Sequence, residues 1–378
     1  MIDGALPLTA VIAAAAALAF WLDHRVPMLS KVGASLLTLV FGAILSNLGL
    51  VPAASPVYDA IAGPVTSLAI AWLLLSVNLS DLRLAGPRML GAFGLALLGT
   101  ALGAFAGAVA FSSSLGEHGW RLAGVFTGTY SGGSVNFVSV GRGVGLPDSL
   151  WAGATAADAM TTGIWMAATL VLPLWLGKYY APVPTAVTDM GEGEDNHPFF
   201  APASLNALDL SFLLAAALAL LAAAELTARV LPQVPSILWL TTYALILGHT
   251  RTFRKPEGAL QLGTMVLHLF FVVIGIWSRV SEIAAVGVVV FLYTLVVVAV
   301  HGLVVFGGGR LFRLDPGTLA VASQASVGGP SSAIAVAVAR EWPGLVLPGI
   351  IVGLGGYAVG TYLGFGVAYL VRALGLGL

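Results

Sequence analysis

Long apolar runs, broken by short polar or glycine-rich stretches, dominate the chain, and they lack the alternation typical of amphipathic strands. A membrane-spanning helix needs about 20 mostly apolar residues. Because lipid offers no partner to free backbone groups, each run is predicted to be a helix, or a helix with a buried break. The candidate spans are 5–22, 32–50, 57–80, 88–112, 119–140, 148–176, 207–229, 233–250, 258–278, 283–306, 317–339 and 344–374. The pattern predicts an all-α polytopic membrane protein with about 10–13 transmembrane helices.

The stretch 178–206 differs from the rest, because it contains four acids, four prolines and few aliphatic side chains. It predicts an extramembrane linker in the middle of the chain. The predicted organisation is therefore a first transmembrane repeat over 1–176, an acidic linker over 177–206 and a second transmembrane repeat over 207–378.

The two halves resemble one another at a single offset. The glycine pair Gly132-Gly133 aligns with Gly328-Gly329 at an offset of 196 positions. The same offset places Arg83 on Arg279 and the span 88–112 on 284–308. Three features that share one offset indicate an internal repeat.

The basic residues favour an inverted arrangement of the two repeats. By simple alternation of spans in the first half, the other side of the membrane receives only Arg121 and Lys178, and one side receives Arg25, Lys31, Arg83, Arg88 and Arg142. If that side is cytoplasmic, the N-terminus lies outside, and continued alternation places outside Arg251, Arg254, Lys255, Arg310 and Arg313. Reversing the second half restores the positive-inside rule. Inversion needs an odd number of crossings between equivalent points, so the count of twelve spans should be wrong by one.

Composition narrows the class of protein. Hydrophobic residues make up 58% of the chain and charged residues only 9%, against about 25% charged in an ordinary globular domain. A soluble enzyme is thereby excluded, and a net charge of -1 gives no reason to expect a nucleic-acid partner. The absence of cysteine excludes disulfides and thiolate metal sites. We expect a lipid bilayer as the environment.

The two glycine-pair segments carry the strongest chemical signal. Glycine lets a chain leave helical geometry, and Pro330 removes a backbone donor directly after the second pair. A break at bilayer depth frees carbonyls and amides, which bind ions together with nearby hydroxyl and amide side chains. In the first segment these are Thr127, Thr129, Ser131, Ser134 and Asn136, and in the second Ser323, Gln324, Ser326, Ser331 and Ser332. The alternative is that Gly and Ser only permit close helix packing.

Asp158 is the second signal, since it lies about ten residues into an apolar run. A carboxylate within a span is costly unless it is paired or hydrated, and it indicates function by default. Thr161 and Thr162 follow on the same helical face. Asp158 is therefore a candidate cation ligand or proton carrier. The alternative is that the helix begins later and Asp158 lies at its solvated end.

Other polar residues give weaker signals. His268 and His301 lie inside predicted spans, where a lone histidine is more often part of hydrogen-bonded packing than of a relay. Glu225 is expected near a span end, where it either extends toward the membrane interface or pairs with Arg229 one turn later. Motifs of metalloproteases, serine hydrolases and P-loop ATPases are absent from the sequence. We therefore expect neither an enzyme nor a bound cofactor other than a coupling ion.

Three patterns carry a resemblance to a known family: GTYSGGSVNF at 128–137, WAGATAADAM at 151–160 and SVGGPSSA at 326–333. The chain resembles the YjcL-like membrane family, a family of unknown function found in bacteria and plastids. That family is placed in the superfamily of cation:proton antiporters and bile acid:sodium symporters. The resemblance implies a homodimer in a bacterial inner membrane. It also implies a panel or dimerisation domain and a core domain that moves like an elevator.

The resemblance also implies that 127–140 and 323–336 are broken helices that cross at the membrane centre. Antiporters of the superfamily carry a pair of polar residues where this chain has Ala157-Asp158. The bile acid symporters have a Glu-Gln-rich second crossover, where this chain has Gln324 without a carboxylate.

The leading hypothesis is a secondary active transporter that moves a small organic solute, such as a carboxylate or an amino-acid-like molecule, with sodium or a proton. The predicted ion ligands are Thr129, Ser131, Asn136, Asp158, Gln324 and Ser326. The predicted solute contacts are Ser134, Thr162, Ser331 and Ser332, beside the helix breaks at Gly132, Gly133, Gly328, Gly329 and Pro330. A cation/proton antiporter without an organic solute is the first alternative. A membrane enzyme and a passive channel are less favoured.

Overall fold

The computed structural model describes residues 2–30, 33–183, 205–254, 256–277, 280–340 and 342–376, and these residues are helical apart from short connections. Eight of the described helices are long and apolar enough to cross a membrane, and two shorter apolar helices accompany them. The predicted all-helical membrane protein is confirmed at this level. Arg279, Lys31, Lys255 and most of the linker (184–204) lie outside the described residues.

The main helices are named here in chain order. They are α1 (Ala5–Arg25), α2 (Ala34–Asn47), α3 (Pro56–Leu75), α4 (Gly86–Ala110), α5 (Gly119–Thr129), α6 (Ser134–Gly143), α7 (Asp148–Leu176), α8 (Ala207–Val230), α9 (Ser236–Gly248), α10 (Ala259–Trp277), α11 (Val280–Leu311), α12 (Pro316–Ala339) and α13 (Val346–Ala373). A short 3₁₀ segment, Leu79–Ala85, precedes α4. The helix bounds agree with the predicted spans to within a few residues at most ends.

The contacts of glycines on α4 show the direction in which α11 runs relative to it. Gly99 of α4 packs against the backbone of His301, and Gly107, two turns later, packs against the ring of Tyr293. The residue numbers rise along α4 while they fall along α11, so the two helices are antiparallel. Small residues spaced four apart let the backbones approach closely, as in other membrane helix pairs.

The segment 119–143 folds back on itself instead of crossing the membrane. Gly128 lies against Val140, and the Nε of Arg121 donates a hydrogen bond to the Val144 carbonyl at 3.2 Å. A continuous helix would hold residues 128 and 140 about 18 Å apart. The expected crossing helix at 127–140 is therefore wrong. The chain reverses at Gly133, whose φ of 101° and ψ of -164° favour glycine. We call α5 and α6 together hairpin 1.

The second glycine-pair segment folds back in the same way. Val321 and Ala333 both lie against the single residue Gly349 of α13, although a straight helix would hold them about 18 Å apart. The reversal is at Gly329, with φ 78° and ψ -172°. The expected crossing helix at 323–336 is therefore also wrong. We call the two arms of α12, residues 316–328 and 330–339, hairpin 2.

The two hairpins enter from opposite ends of the molecule, and their tips meet at its centre. Along α13, the base of hairpin 1 lies at Ala368 and its tip at Gly356. The tip of hairpin 2 lies at Gly353, and its second arm continues from there to Gly349. Each hairpin thus covers one half of α13. The two tips are in contact through the glycines at which the chain reverses.

The hairpins change the count of crossings. Among the described helices, eight long and two shorter ones remain as candidates to cross the membrane. Five of these belong to each half: α1–α4 and α7 in the first, and α8–α11 and α13 in the second. The count of twelve was therefore too high by one in each half, because two glycine-pair segments that are long and apolar enough to cross reverse instead.

The helices divide into two bundles that each take elements from both halves. We call α1–α3 with α8–α10 the scaffold bundle, and α4–α7 with α11–α13 the hairpin bundle. Helices α2 and α3 pack on α10, whereas α13 packs on both hairpins and α4 packs on α11. Contacts between the bundles are fewer, and include Trp151 of α7 edge-on to Phe270 of α10 at 5.5 Å between ring centroids.

Candidate functional site

Four helix ends converge where the hairpin tips meet. Hairpin 1 brings the C-terminal end of α5 and the N-terminal end of α6, and hairpin 2 brings the corresponding ends of its two arms. Helix C-terminal ends carry partial negative charge and N-terminal ends carry partial positive charge. The centre of the hairpin bundle therefore offers free backbone groups of both signs.

The carbonyl of Tyr130 joins the two tips. It accepts a hydrogen bond of 2.8 Å from the hydroxyl of Thr100 on α4, and one of 2.6 Å from Ser326 of hairpin 2. Ser326 therefore holds the tips together through its own hydroxyl, and its oxygen keeps lone pairs that could still face an ion.

A buried histidine extends this network. Thr100 uses its only proton toward Tyr130, so His301 must donate from Nδ1 to the Thr100 oxygen at 2.9 Å. The His301 Nε2 is then the acceptor for the Ser323 hydroxyl at 2.8 Å. Ser323 in turn accepts from the indole of Trp165 at 2.9 Å. A neutral imidazole satisfies the whole chain, which fits the structural role predicted for a lone membrane histidine.

Asp158 lies beside the tip of hairpin 1, partly buried. The Thr129 hydroxyl is 3.5 Å from each carboxylate oxygen. Within the described part of the chain, no cationic side chain forms an ion pair with Asp158. Helix α7 begins at Asp148, so Asp158 lies almost three turns inside it, and the alternative of a solvated helix end is wrong. The structure thus places an uncompensated carboxylate next to the helix breaks.

Two buried polar groups around the tips lack a partner among the described residues: the hydroxyl of Ser131 and the amide nitrogen of Gln324. The buried Tyr130 hydroxyl faces Asp158, Thr161 and Thr294. Buried polar groups are almost always paired in folded proteins. Unpaired groups gathered at one place therefore favour a site that a ligand or ion completes.

The amino-acid sequence of the chain matches a known protein family along almost its whole length. The family model described as "Protein of unknown function (DUF819)" matches residues 10–374. The chain belongs to the DUF819 family. It is also 28% identical over 370 residues to "Uncharacterized membrane protein YjcL" of Bacillus subtilis (strain 168), covering 93% of each chain. The predicted family is thereby confirmed. The matched residues include both hairpins and Asp158.

In this DUF819 chain, two other predicted ion ligands, Asn136 and Gln324, form hydrogen bonds within the protein. Asn136 donates from Nδ2 to the Gly356 carbonyl at 2.9 Å, and its Oδ1 accepts from Thr361 at 2.9 Å. Gln324 accepts from Thr169 at 3.3 Å through its side-chain oxygen. Asn136 therefore has both of its polar groups engaged in tying hairpin 1 to α13, which leaves less capacity for an ion.

The predicted solute contacts are more open than the ion ligands. Ser134, Thr162 and Ser332 are half-buried and Ser331 is exposed. Gly132 lies so close to the backbone of Gly356 that a side chain has no room there, and Gly328 is closely approached by Ser332 and Gln324. Pro330 packs against Gly353. The predicted break residues therefore do lie together at the two tips.

Sequence reasoning missed several groups of this DUF819 site. Thr100, Trp165 and Thr294 lie on helices far from the glycine pairs in sequence, and Thr294 is paired with Thr161 at 2.7 Å. Tyr130 adjoins the first glycine pair, yet its backbone carbonyl is what the site uses. A polar residue inside an apolar span was the available signal for Thr100, but that signal is common to many threonines.

His268 and Glu225 lie away from the tips. His268 has both ring nitrogens occupied, by Ser35 at 3.2 Å and by the Thr264 carbonyl at 2.7 Å, and it packs on Phe20. Glu225 is exposed on α8 and forms no ion pair with Arg229 or with any other described residue. The predicted Glu225–Arg229 pair is therefore wrong.

Proposed function

We propose that this DUF819 protein is a secondary active transporter, in which a sodium ion or a proton at the hairpin tips is coupled to a small organic solute. One observation carries the proposal: Asp158, a carboxylate without a cationic partner in the described structure, lies beside two touching helix breaks that hold unpartnered buried hydroxyl and amide groups. Intramembrane carboxylates and broken helices of this kind mark ion and substrate paths. Transport itself, the solute and the coupling ion belong to the proposal.

The ion is proposed to bind among the Asp158 carboxylate, the Thr129 and Ser131 hydroxyls and free backbone carbonyls at the C-terminal end of α5. Hard cations prefer oxygen ligands of these kinds. The N-terminal ends of α6 and of the second arm of hairpin 2 would face an anionic group of the solute. Ser134, Thr162, Ser331 and Ser332 stay predicted solute contacts.

Alternating access is proposed to use relative movement of the two bundles. The hairpin bundle contains both tips and all their partners, and its contacts with the scaffold bundle are fewer than those within it. Antiparallel packing of the equivalent helices α4 and α11, and entry of the hairpins from opposite ends, support an inverted repeat. The homodimer and the bacterial inner membrane stay expectations from the resemblance.

The first test is thermal stability of the detergent-purified protein in sodium chloride and in choline chloride at equal ionic strength, between about pH 5.5 and 8.5. A ligand that binds only the folded state raises the apparent Tm by mass action. We expect either a sodium-specific rise or a pH-dependent change of Tm that Asp158→Asn removes. Asp148→Asn is the matched control, because this exposed carboxylate begins the same helix.

The outcome separates the coupling ions. A sodium-specific rise that is lost in Asp158→Asn supports sodium coupling, and a pH effect lost in the same variant supports proton coupling. If neither sodium nor pH acts through Asp158, the ion-coupled transporter is contradicted. Flux into proteoliposomes then decides between symport and the antiporter alternative, because an antiporter moves protons against a cation gradient without any organic solute.

A further inference from the structure

A second polar site lies at the outer end of hairpin 1, about 15 Å from the tips, since ten residues of α6 separate them. A cavity of about 400 Å³ opens there between the two bundles. Its lining comes from the break in α3, the end of α6, the last turns of α8 and the start of α9. The volume falls within the range of small-molecule pockets.

Arg142 reaches into this cavity from the end of hairpin 1. Its Nη1 donates to the Gly63 carbonyl at 2.7 Å and to the Ser67 hydroxyl at 2.6 Å. Gly63 has non-helical angles, φ -87° and ψ -109°, and precedes Pro64, so its carbonyl is turned out of the regular helix ladder. Two neutral acceptors thus fix one nitrogen of the guanidinium. Its Nη2 and Nε have no acceptor among the described residues.

Glu225 lines the same cavity from α8, on the scaffold bundle. In the described part of the chain, neither Arg142 nor Glu225 is part of an ion pair, so the two opposite charges share one cavity without contacting each other. The half-buried guanidinium of Arg142 is costly without an anionic partner, whereas the exposed carboxylate of Glu225 stays accessible to a ligand. A ligand with only a carboxylate would meet Glu225 unfavourably, and a ligand with only an amine would meet Arg142 unfavourably.

We propose that this cavity binds a small zwitterion, with its carboxylate on the free nitrogens of Arg142 and its ammonium group on Glu225. Arg142 belongs to the hairpin bundle and Glu225 to the scaffold bundle, so the bound molecule bridges the two. The Ser67 and Ser236 hydroxyls add polar contacts, while Leu221 and Leu240 supply an apolar wall. The site is separate from the hairpin tips, and binding there does not require that the molecule be transported.

The test measures the apparent Tm of the purified full-length protein with added glycine, 4-aminobutyrate or 6-aminohexanoate. Acetate and methylammonium, which carry one charge each, are compared at equal concentration and ionic strength. We expect at least one zwitterion to raise Tm in a saturable manner while the singly charged compounds do not. The chain length that acts best reports the separation of the two charges.

Variants of the cavity residues test whether the rise of Tm comes from binding in this cavity. Arg142→Gln and Glu225→Gln should each raise the apparent Kd of the zwitterion at least tenfold. Arg229→Gln is the matched control, because Arg229 is exposed one turn further along α8 and does not line the cavity. If Arg142→Gln fails to fold, Glu225→Gln still decides, since this exposed side chain makes no structural contact that its loss would remove.

The proposal is overturned if no zwitterion shifts Tm, if acetate or methylammonium shifts it equally, or if the effect persists in both cavity variants. Asp158→Asn separates this proposal from the transporter function. Zwitterion binding that survives in Asp158→Asn supports a distinct outer site, and loss of binding in that variant overturns it by moving the ligand to the hairpin tips.

Discussion

At the scale of single residues, the polar groups at the tips divide by whether the protein satisfies them. Asn136 and His301 have protein partners for both of their polar groups: Asn136 ties hairpin 1 to α13, and His301 of α11 bonds to Thr100 of α4 and Ser323 of hairpin 2. The Ser131 hydroxyl and the Gln324 amide nitrogen are buried without a partner in the described structure. Because an unpaired buried group costs about 1–3 kcal/mol, the second set is the better candidate for contact with an ion or solute.

Replacement of Thr100 tests the polar groups that have hydrogen-bond partners within the protein. In Thr100→Val, the Tyr130 carbonyl loses one of its two hydrogen-bond donors, and the His301 Nδ1 loses its side-chain partner. We expect the free energy of unfolding to fall by about 1–3 kcal/mol. The measurement is denaturant unfolding in detergent.

Thr241→Val is the matched control for that experiment. Thr241 is equally buried, but its hydroxyl bonds only to the Ile237 carbonyl within its own helix. Its replacement should change stability by less than about 1 kcal/mol. Equal losses in the two variants would contradict a special role for the Thr100–His301 network.

At the scale of elements, the two glycine pairs make hairpins because each contains one residue that must adopt a positive φ. A Cβ at Gly133 or Gly329 would meet no atom closer than 3.4 Å, so the constraint is backbone strain and not a clash. Gly132 faces the opposite constraint, since a Cβ there would overlap the backbone of Gly356. The two glycines of one pair are thus required for different physical reasons.

Alanine at the reversal points should therefore strain the tips. We expect Gly133→Ala and Gly329→Ala each to lower the free energy of unfolding by about 1–3 kcal/mol, the usual cost of a backbone conformation that suits only glycine. Gly163→Ala is the control: Gly163 lies within α7 with open space around it, so alanine should be neutral or stabilise by up to about 1 kcal/mol. A Gly133→Ala variant as stable as the control would contradict the strained reversal.

At the scale of the whole molecule, the hairpins resolve the conflict between charge and topology. With both hairpins folded back, one side of the membrane receives Arg25, Arg83, Arg88, Lys178, Arg251, Arg254, Arg310, Arg313 and Arg340, and the other receives Arg121, Arg142, Arg229 and Arg372. By the positive-inside rule, we predict that the richer side is cytoplasmic for both halves. Compared with simple alternation, Arg142 and Lys178 exchange sides, and the two halves are predicted to be inverted.

Labelling of single cysteines tests this topology, since the natural chain contains no cysteine. Glu117→Cys and Asp148→Cys flank hairpin 1, and both positions are exposed. We expect a membrane-impermeant maleimide to label both from the outer side. Arg313→Cys, 196 positions after Glu117, should react only from the cytoplasmic side.

Two labelling results would contradict the predicted topology. Labelling of Glu117→Cys and Asp148→Cys from opposite sides would show that 119–143 crosses the membrane. Labelling of Glu117→Cys and Arg313→Cys from the same side would exclude inversion of the two halves. Variants whose Tm equals that of the unmodified protein are the ones to compare.

Local composition was enough to predict most of the helices and to point to two breaks. Apolar length is a local property, so the spans agree with the described helices. A glycine pair alone marks no break, because Gly355-Gly356 lies within continuous α13; polar residues repeated around two pairs at one offset were the stronger signal. The direction in which the chain leaves Gly133 or Gly329 is not local. It depends on the approach of Gly128 to Val140 and of Val321 and Ala333 to Gly349, contacts between residues distant along the chain. The reversal of each segment therefore follows from packing between distant parts of the chain. The same packing leaves certain polar side chains unpaired where the two tips meet.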